Sequence, residues 1–293
     1  MKRAAFTNRW LPILLLLPQM AIIVVFFYWP AWHALTSSFY LQDPFGFSET
    51  FVGFANYTSL WKSAPYARAA SFTVVFSLLV TFLSLAIALL LAVKADKVIK
   101  GAKAYRTALM WVYAVAPPVA GVMGIIRFNQ SWGPLTRFLT MLGWDFKLGV
   151  NYYDTAFAMV LVSVWKQIPV NFIFFLSGLQ SIPKSVREAA LIDNRSASGR
   201  FWDITFPLLA PTGFFLLITN ITYSLFDTFG VIDTLVKGEP GNNPMTLVYK
   251  VYVDGFRGND MGGSSAQSVI LMVLVLAMTI AQFRLVERRI HYT

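Results

Sequence analysis

Apolar residues in this chain come in long unbroken runs, and the charged residues gather in the segments between them. Stretches without any charge cover 10–42, 69–93, 107–126, 204–226 and 261–283, and a sixth, 155–183, is interrupted only by Lys166. A helix needs about 20 residues to cross the ~30 Å hydrocarbon core of a bilayer. The pattern therefore predicts six membrane-spanning helices, approximately 11–30, 70–93, 107–127, 156–178, 208–230 and 266–286. Runs such as Leu14-Leu15-Leu16-Leu17 and Leu89-Leu90-Leu91 lack the alternation of a barrel wall. The expected fold class is an all-α integral membrane protein, with a single transmembrane domain over 1–293.

Composition leads to the same class. Of the 293 residues, 57% are hydrophobic and 13% charged, with a mean hydropathy of +0.59. A water-soluble core cannot hide that much apolar surface. The charges then orient the chain. Tails and loops on one side hold 15 Lys and Arg against 5 acids, a balance of +10, whereas those on the other hold 8 of each and cancel. The excess marks the cytoplasmic side, where both termini and the segment 182–207 are expected. The pI of about 9.8 is thus a membrane asymmetry and not a nucleic-acid footprint. The first apolar run could pass for a secretory signal. Bulky Tyr28-Trp29-Pro30-Ala31-Trp32, however, fills the place where small residues precede cleavage, so an uncleaved first helix is expected.

Some chemistry is absent from the sequence. There is no cysteine, so neither a disulfide framework nor a thiolate site is expected. No Gly is followed by Lys, which excludes a Walker A phosphate loop. His33 and His291 lie near opposite ends and suggest no zinc site or triad. The chain is expected to have no catalytic residue and to bind no metal or cofactor itself.

The most informative loop, 182–207, joins the fourth and fifth predicted spans. Pro183 ends the fourth span, and Ser185 is placed to cap a helix holding Arg187, Glu188, Ala189 and Ala190. Asn194 stands where the chain must turn, and Asn tolerates the left-handed backbone state. Phe206-Pro207 then leads into the fifth span. Residue types alone fit two roles equally: a smooth helix gripped by a soluble partner, or an amphipathic helix resting on lipid headgroups through Arg187, Arg195 and Arg200.

The loop resembles the "EAA" loop of permease subunits of bacterial ABC importers. Glu188-Ala189-Ala190, Ile204 and Pro207 match its pattern, Phe206 replaces a Leu, and Asn194 replaces the usual Gly. The resemblance extends over essentially the whole chain. Gly53-Phe54-Ala55-Asn56-Tyr57 looks like the family's motif before the second span, and the 178–183 run Gly-Leu-Gln-Ser-Ile-Pro like its lead-in to the loop. Within the family, three segments beginning at Asp227, Leu247 and Ser264 are most similar to the UgpA-type permeases of sn-glycerol-3-phosphate importers. The resemblance implies a type I ABC importer permease fold of six transmembrane helices with a cytoplasmic coupling helix. It implies a second permease of UgpE type, two cytoplasmic ATPases of UgpC type that use ATP and Mg, and a periplasmic binding protein of UgpB type. It also implies alternating access driven by those ATPases. Arg187, Glu188, Ala189, Ala190, Asp193 and Asn194 are the ATPase-coupling residues that it suggests.

Polar residues inside the spans are the candidates for the solute pathway. Lys166 sits near mid-span in Trp165-Lys166-Gln167-Ile168-Pro169-Val170-Asn171, where a charge in lipid is costly. Lys166, Gln167 and Asn171 either line the pathway or serve structure, with Lys166 paired to an acid such as Asp227. In the fifth span Asn220, Tyr223, Ser224 and Asp227 fall on one helical stripe. Such a stripe is an interhelical seam or a pathway wall. A wall is expected, because Asp227 lies near the outer end. Ser84, Ala88 and Ala92, and Ala116, Ala120 and Gly124, are expected to be packing faces. Two other classes remain open at this point. A secondary transporter would need an ion relay, for which Lys166 and Asp227 are thin material. A membrane anchor would have no use for the elaborate 182–207 loop.

Overall fold

Each apolar run is helical, and most helices outlast their runs. The computed structural model describes residues 10–43, 48–96, 102–192, 196–236 and 243–287. In order, the elements are α1 (Trp10–Ser37), β1 (Tyr40–Gln42), β2 (Glu49–Phe51), α2 (Ala55–Lys62), α3 (Ala64–Asp96), α4 (Ala102–Tyr113) and α5 (Pro117–Arg127). They continue with α6 (Pro134–Met141), α7 (Tyr152–Ser181), α8 (Lys184–Ile192), α9 (Ala197–Asp227), α10 (Phe229–Val236), α11 (Leu247–Tyr252) and α12 (Met261–Glu287). Among the described residues, α1, α3, α7, α9 and α12 are long and apolar enough to cross a bilayer, and α4 with α5 forms a sixth, bent span.

The helices run past the predicted ends for a physical reason. Hydropathy marks the length bathed in lipid, whereas the hydrogen-bond ladder continues into polar flanks until a cap or a proline stops it. Asn151 Oδ1 accepts the Tyr153 N–H at 2.9 Å and opens α7 before its apolar run begins, and Pro183 closes it. Asp260 Oδ1 accepts the Gly263 N–H at 2.8 Å and does the same for α12.

Two spans depart from the straight helices predicted. The third is bent by 103° between α4 and α5. Pro117 and Pro118 occupy the first turn of α5 and remove two backbone donors, and Ala116 before them is extended at ψ 145°. The fifth starts upstream, at Ala197, and stops at Asp227. It absorbs Pro207 through a π turn, Phe201–Thr205, whose closing bond runs from the Phe206 N–H to the Phe201 carbonyl.

Backbone packing divides the chain into two compact units, 1–63 with 251–275 and 64–250 with 276–293. In the first, β1 pairs antiparallel with β2, Leu41 opposite Thr50. Gly53 takes φ +55°, a turn that Cβ-bearing residues resist. It delivers Asn56 and Tyr57 to the hairpin entrance. Asn56 Nδ2 donates to the Ser38 and Tyr40 carbonyls at 2.8 and 3.0 Å, and the Tyr57 hydroxyl donates to Ser38 Oγ at 2.8 Å. These bonds give the Gly-Phe-Ala-Asn-Tyr motif a structural basis.

In the second unit α3, α7 and α9 pack around Ala88, Ala92, Phe172, Phe175, Leu209 and Leu216. The small residues of α5 also pack closely. A Cβ on Gly121 would sit 2.6 Å from Thr234 Cβ, and one on Gly124 would meet Val162 and Leu235 at 3.0 Å. Large apolar side chains such as Leu15, Phe27 and Leu90 remain more than half exposed, the surface that lipid covers.

Candidate functional site

The loop that stood out in the sequence folds as a short helix, α8, followed by a fresh helical start at Ala197. Helix α8 begins at Lys184, immediately after Pro183, so Ser185 lies inside the first turn and does not cap it. Ser196 does cap the next start, accepting the Gly199 N–H on Oγ at 3.1 Å. Ser185, Glu188, Ala189 and Ile192 share one exposed stripe, while Val186, Arg187 and Ala190 turn toward the protein. Each residue advances about 100° round the helix, which carries Ala190 past the edge of that stripe to the side of Val186 and Arg187. Ala190 is the inward one, at 5% exposure. Ile192, at 82% exposed, completes the outer face, and Leu191, at 60%, lies on its flank and also lines the cavity below the helix. They escaped the sequence reading, although an apolar pair on a short helix outside any span was a signal for them. Asp193 and Asn194 lie outside the described residues.

Arg187 lies off the outer stripe and reaches toward the ends of two neighbouring helices, its side chain still 41% exposed. Its Nη1 donates to Asp96 Oδ2 at 3.0 Å, at the last residue of α3, and its Nη2 donates to the Leu179 carbonyl in the last turn of α7. Below α8 lies a cavity of about 280 Å³ lined by Val93, Asp96, Leu179, Arg187, Ala190 and Phe201, among others.

Deeper in the second unit, three helices are clasped by polar side chains. Asn171 of α7 and Asn220 of α9 exchange hydrogen bonds, Nδ2 to Oδ1, at 2.9 and 2.7 Å. Ser84 of α3 donates to Asn220 Oδ1 at 2.9 Å and accepts from Asn171 Nδ2 at 3.2 Å. All three residues have no exposed surface. The Tyr223 hydroxyl donates to the Ser163 carbonyl of α7 at 3.3 Å. The polar stripe of the fifth span is therefore, at Asn220 and Tyr223, an interhelical seam and not the wall expected. Asn171 belongs to that seam too. A buried amide in lipid must find partners, and here the partners are one another.

Asp227 is the member of the stripe that stays exposed, beside a second π turn, Tyr223–Asp227. Lys166 lies roughly 20 Å from either end of α7 and is 8% exposed. It makes no ion pair with Asp227. Its Nζ stands 5.9 Å from the ring centre of Tyr113, at the bend of the third span, and Asp227 acts on it only through space. Gln167 is nearly buried next to it. Tyr113 had no mark in the sequence, since only the bend brings it to Lys166. No cluster of metal-ligating side chains occurs among the described residues.

The family model for binding-protein-dependent transport system inner membrane components matches residues 3–292. The chain belongs to that family. This permease is 49% identical to an sn-glycerol-3-phosphate transport system permease protein UgpA of Rhizobium meliloti (strain 1021), over 100% of both chains. It is also 49% identical to a protein of the same name from Brucella suis, again over 100% of both, and 47% identical to one from Salmonella typhi over 99% of this chain and 98% of that one. Its fold matches a chain of a bacterial ABC transporter involved in import of the acidic polysaccharide alginate, with a TM-score of 0.82 at 21% identity over 96% of each chain. A chain of an alginate transporter in complex with a pentasaccharide-bound periplasmic protein matches at a TM-score of 0.78 and 19% identity, covering 95% and 94%. The permease thus has the six-helix membrane fold of type I ABC importer permeases. It is a multi-pass inner membrane component, a transporter subunit and not an enzyme.

Proposed function

We propose that the chain is one permease half of an ATP-driven importer of sn-glycerol-3-phosphate. Identity of 49% over the full length to relatives carrying that name is the observation that carries the reading. In it, the chain pairs with a second, homologous permease, two ATPases dock from the cytoplasm, and a periplasmic binding protein delivers the solute. ATP and Mg belong to the ATPases, and this chain binds no cofactor. Both termini and α8 lie in the cytoplasm, which is supported by the +10 against 0 balance of charge.

Glu188 and Ala189 on the outer stripe of α8, with Leu191 and Ile192 beside them, form the face offered to an ATPase. Asp193 and Asn194 are the remaining coupling residues of this reading. The solute path runs past Lys166, Gln167 and Asp227, with Tyr113 holding the lysine. A phosphomonoester carries −1.5 to −2 charges near pH 7, and a cation half-engaged with an aromatic ring offsets part of the cost of moving it through a poorly solvated site. Because Lys166 is not locked to a carboxylate, its charge remains available to a passing anion.

The test is uptake of labelled sn-glycerol-3-phosphate by cells lacking their own carrier and supplied with the full set of subunits. Saturable uptake that excess disaccharide does not displace supports the reading. Uptake of a disaccharide in its place would overturn the solute and leave the permease role standing. Transport with no copurifying ATPase would point to a secondary transporter.

A further inference from the structure

The buried side of α8 carries an arrangement that partner docking does not explain. Helix α8 stands over the 280 Å³ cavity, so apolar packing beneath it is incomplete. Of its inward residues, Ala190 is small and Val186 only half-buried. What bridges the space is Arg187, whose planar fork reaches two elements at once, the Asp96 carboxylate ending α3 and the Leu179 carbonyl ending α7. Both targets suit a cation. The Leu179 carbonyl lies at the partial negative pole of α7, where it also accepts the Ile182 N–H at 3.3 Å, and the Asp96 side chain is 17% exposed, so its charge is incompletely screened. A bidentate guanidinium resists rotation in a way a single contact does not.

We infer that Arg187 is a positioning residue that fastens the coupling helix to the inner ends of α3 and α7, so that a push received on the outer face of α8 is delivered to those two helices. Farther along the same helices, the Ser84–Asn171–Asn220 clasp ties them to α9. The strap at Arg187 and the clasp therefore share α3 and α7, and displacement of α8 enters a body already cross-linked. Without the strap, α8 moves over its cavity and the push is dissipated locally. This inference rests on the docking role proposed for the outer face of α8.

The chain has no cysteine, which makes it a ready background for spin labels. Labels at Lys184 on α8, which lies off the outer stripe, and Lys94 on α3, both exposed, report the distance across the strap in the assembled importer without reference to any solute. With Arg187 intact the distance distribution is expected to be narrow and the same with and without ATP. Arg187→Gln should broaden it about twofold, while the ATPase still copurifies at the level of the unaltered chain. In proteoliposomes, solute moved per ATP hydrolysed should fall about fivefold in Arg187→Gln, with ATP turnover persisting. Arg187→Lys should lie between, keeping the charge and losing the fork. Exchanging the pair, Arg187→Asp with Asp96→Arg, should recover at most the part of the ratio that depends on the Asp96 contact, because a carboxylate at 187 cannot donate to the Leu179 carbonyl. An unchanged distance distribution in Arg187→Gln overturns the inference, as does loss of the ATPase from the complex, which would put Arg187 at the partner interface. Full recovery by the exchange also overturns it, since the Leu179 contact would then have no part in the strap. The ratio is taken on whichever solute the unaltered importer carries. A wrong solute therefore shows in the unaltered protein and a wrong strap only in the variants.

Discussion

Replacing Asn171 and Asn220 by Leu, singly and together, tests whether the polar seam holds the helices or handles the solute. Asn and Leu share the same branched heavy-atom skeleton, so the change removes hydrogen bonds without opening a cavity, while the bulkier methyl groups add some overpacking to each variant. Asn220 makes four hydrogen bonds to three partners: Oδ1 accepts from Ser84 Oγ and Asn171 Nδ2, both at 2.9 Å, and Nδ2 donates to Asn171 Oδ1 at 2.7 Å and to the Leu216 carbonyl at 2.6 Å. Asn171→Leu takes two of the four but leaves each end of the Asn220 amide with one. Interhelical hydrogen bonds in membranes contribute about 0.6 kcal/mol on average and at most about 1.7. The single change should therefore cost about 1–3 kcal/mol. Asn220→Leu should cost somewhat more, because it orphans Asn171 Oδ1 in a site with no exposed surface. The double variant loses the two shared bonds only once. Its cost should fall short of the sum by about 1–3 kcal/mol, which is roughly five- to more than a hundredfold in the unfolding equilibrium. Steric-trapping unfolding in bicelles measures all three. Costs that add within about 0.5 kcal/mol would refute the clasp. An altered KM for the solute at unchanged stability would return both residues to the pathway.

Three further outcomes are expected. Glu188→Lys should abolish uptake while the protein remains in the membrane and the ATPase fails to copurify; Ala190→Tyr should also abolish uptake, but by lifting α8 off its seat, visible as proteolytic sensitivity of the loop, because Ala190 is only 5% exposed. Lys166→Gln should lower kcat/KM for the phosphorylated solute about tenfold, the effect of ~1.4 kcal/mol, and Lys166→Glu should lower it further. Equal loss of solute-free ATPase activity would make Lys166 a structural residue. A reporter fused after Lys100 or Arg195 should signal cytoplasm and one near Asp145 periplasm, and the opposite result at Arg195 would remove α8 from reach of the ATPases.

The spans and the coupling loop were legible because each depends on local composition. Some twenty apolar residues in a row carry their meaning wherever they sit, and Glu-Ala-Ala within a charged loop does so nearly as well. The roles of single residues were not, because they depend on which way a side chain points and on what arrives from far along the chain. Arg187 and Ala190 look like neighbours of Glu188 on one surface until the helical period turns them inward. Asn171 and Asn220 stand 49 residues apart, and neither alone distinguishes a pathway from a seam. The bend at 113–117 was written in Pro117-Pro118, yet hydropathy averages over prolines and reads through them. Tyr113 beside Lys166 follows from that bend and was hidden with it.

The same bend constrains how the protein is made. Neither α4, with 12 residues, nor α5, with 11, rises more than about 18 Å, too little to cross a ~30 Å layer alone. In sequence, 107–126 is nonetheless one apolar run. Pro117 and Pro118 carry the bend within the run itself, but the surfaces that seat it are synthesised afterwards: Val162 of α7, and Thr234 and Leu235 of α10, against which Gly121 and Gly124 close. The packing of the third span is thus complete only once α10 has been made, more than 100 residues after the span itself. In this permease the order of synthesis and the order of packing differ.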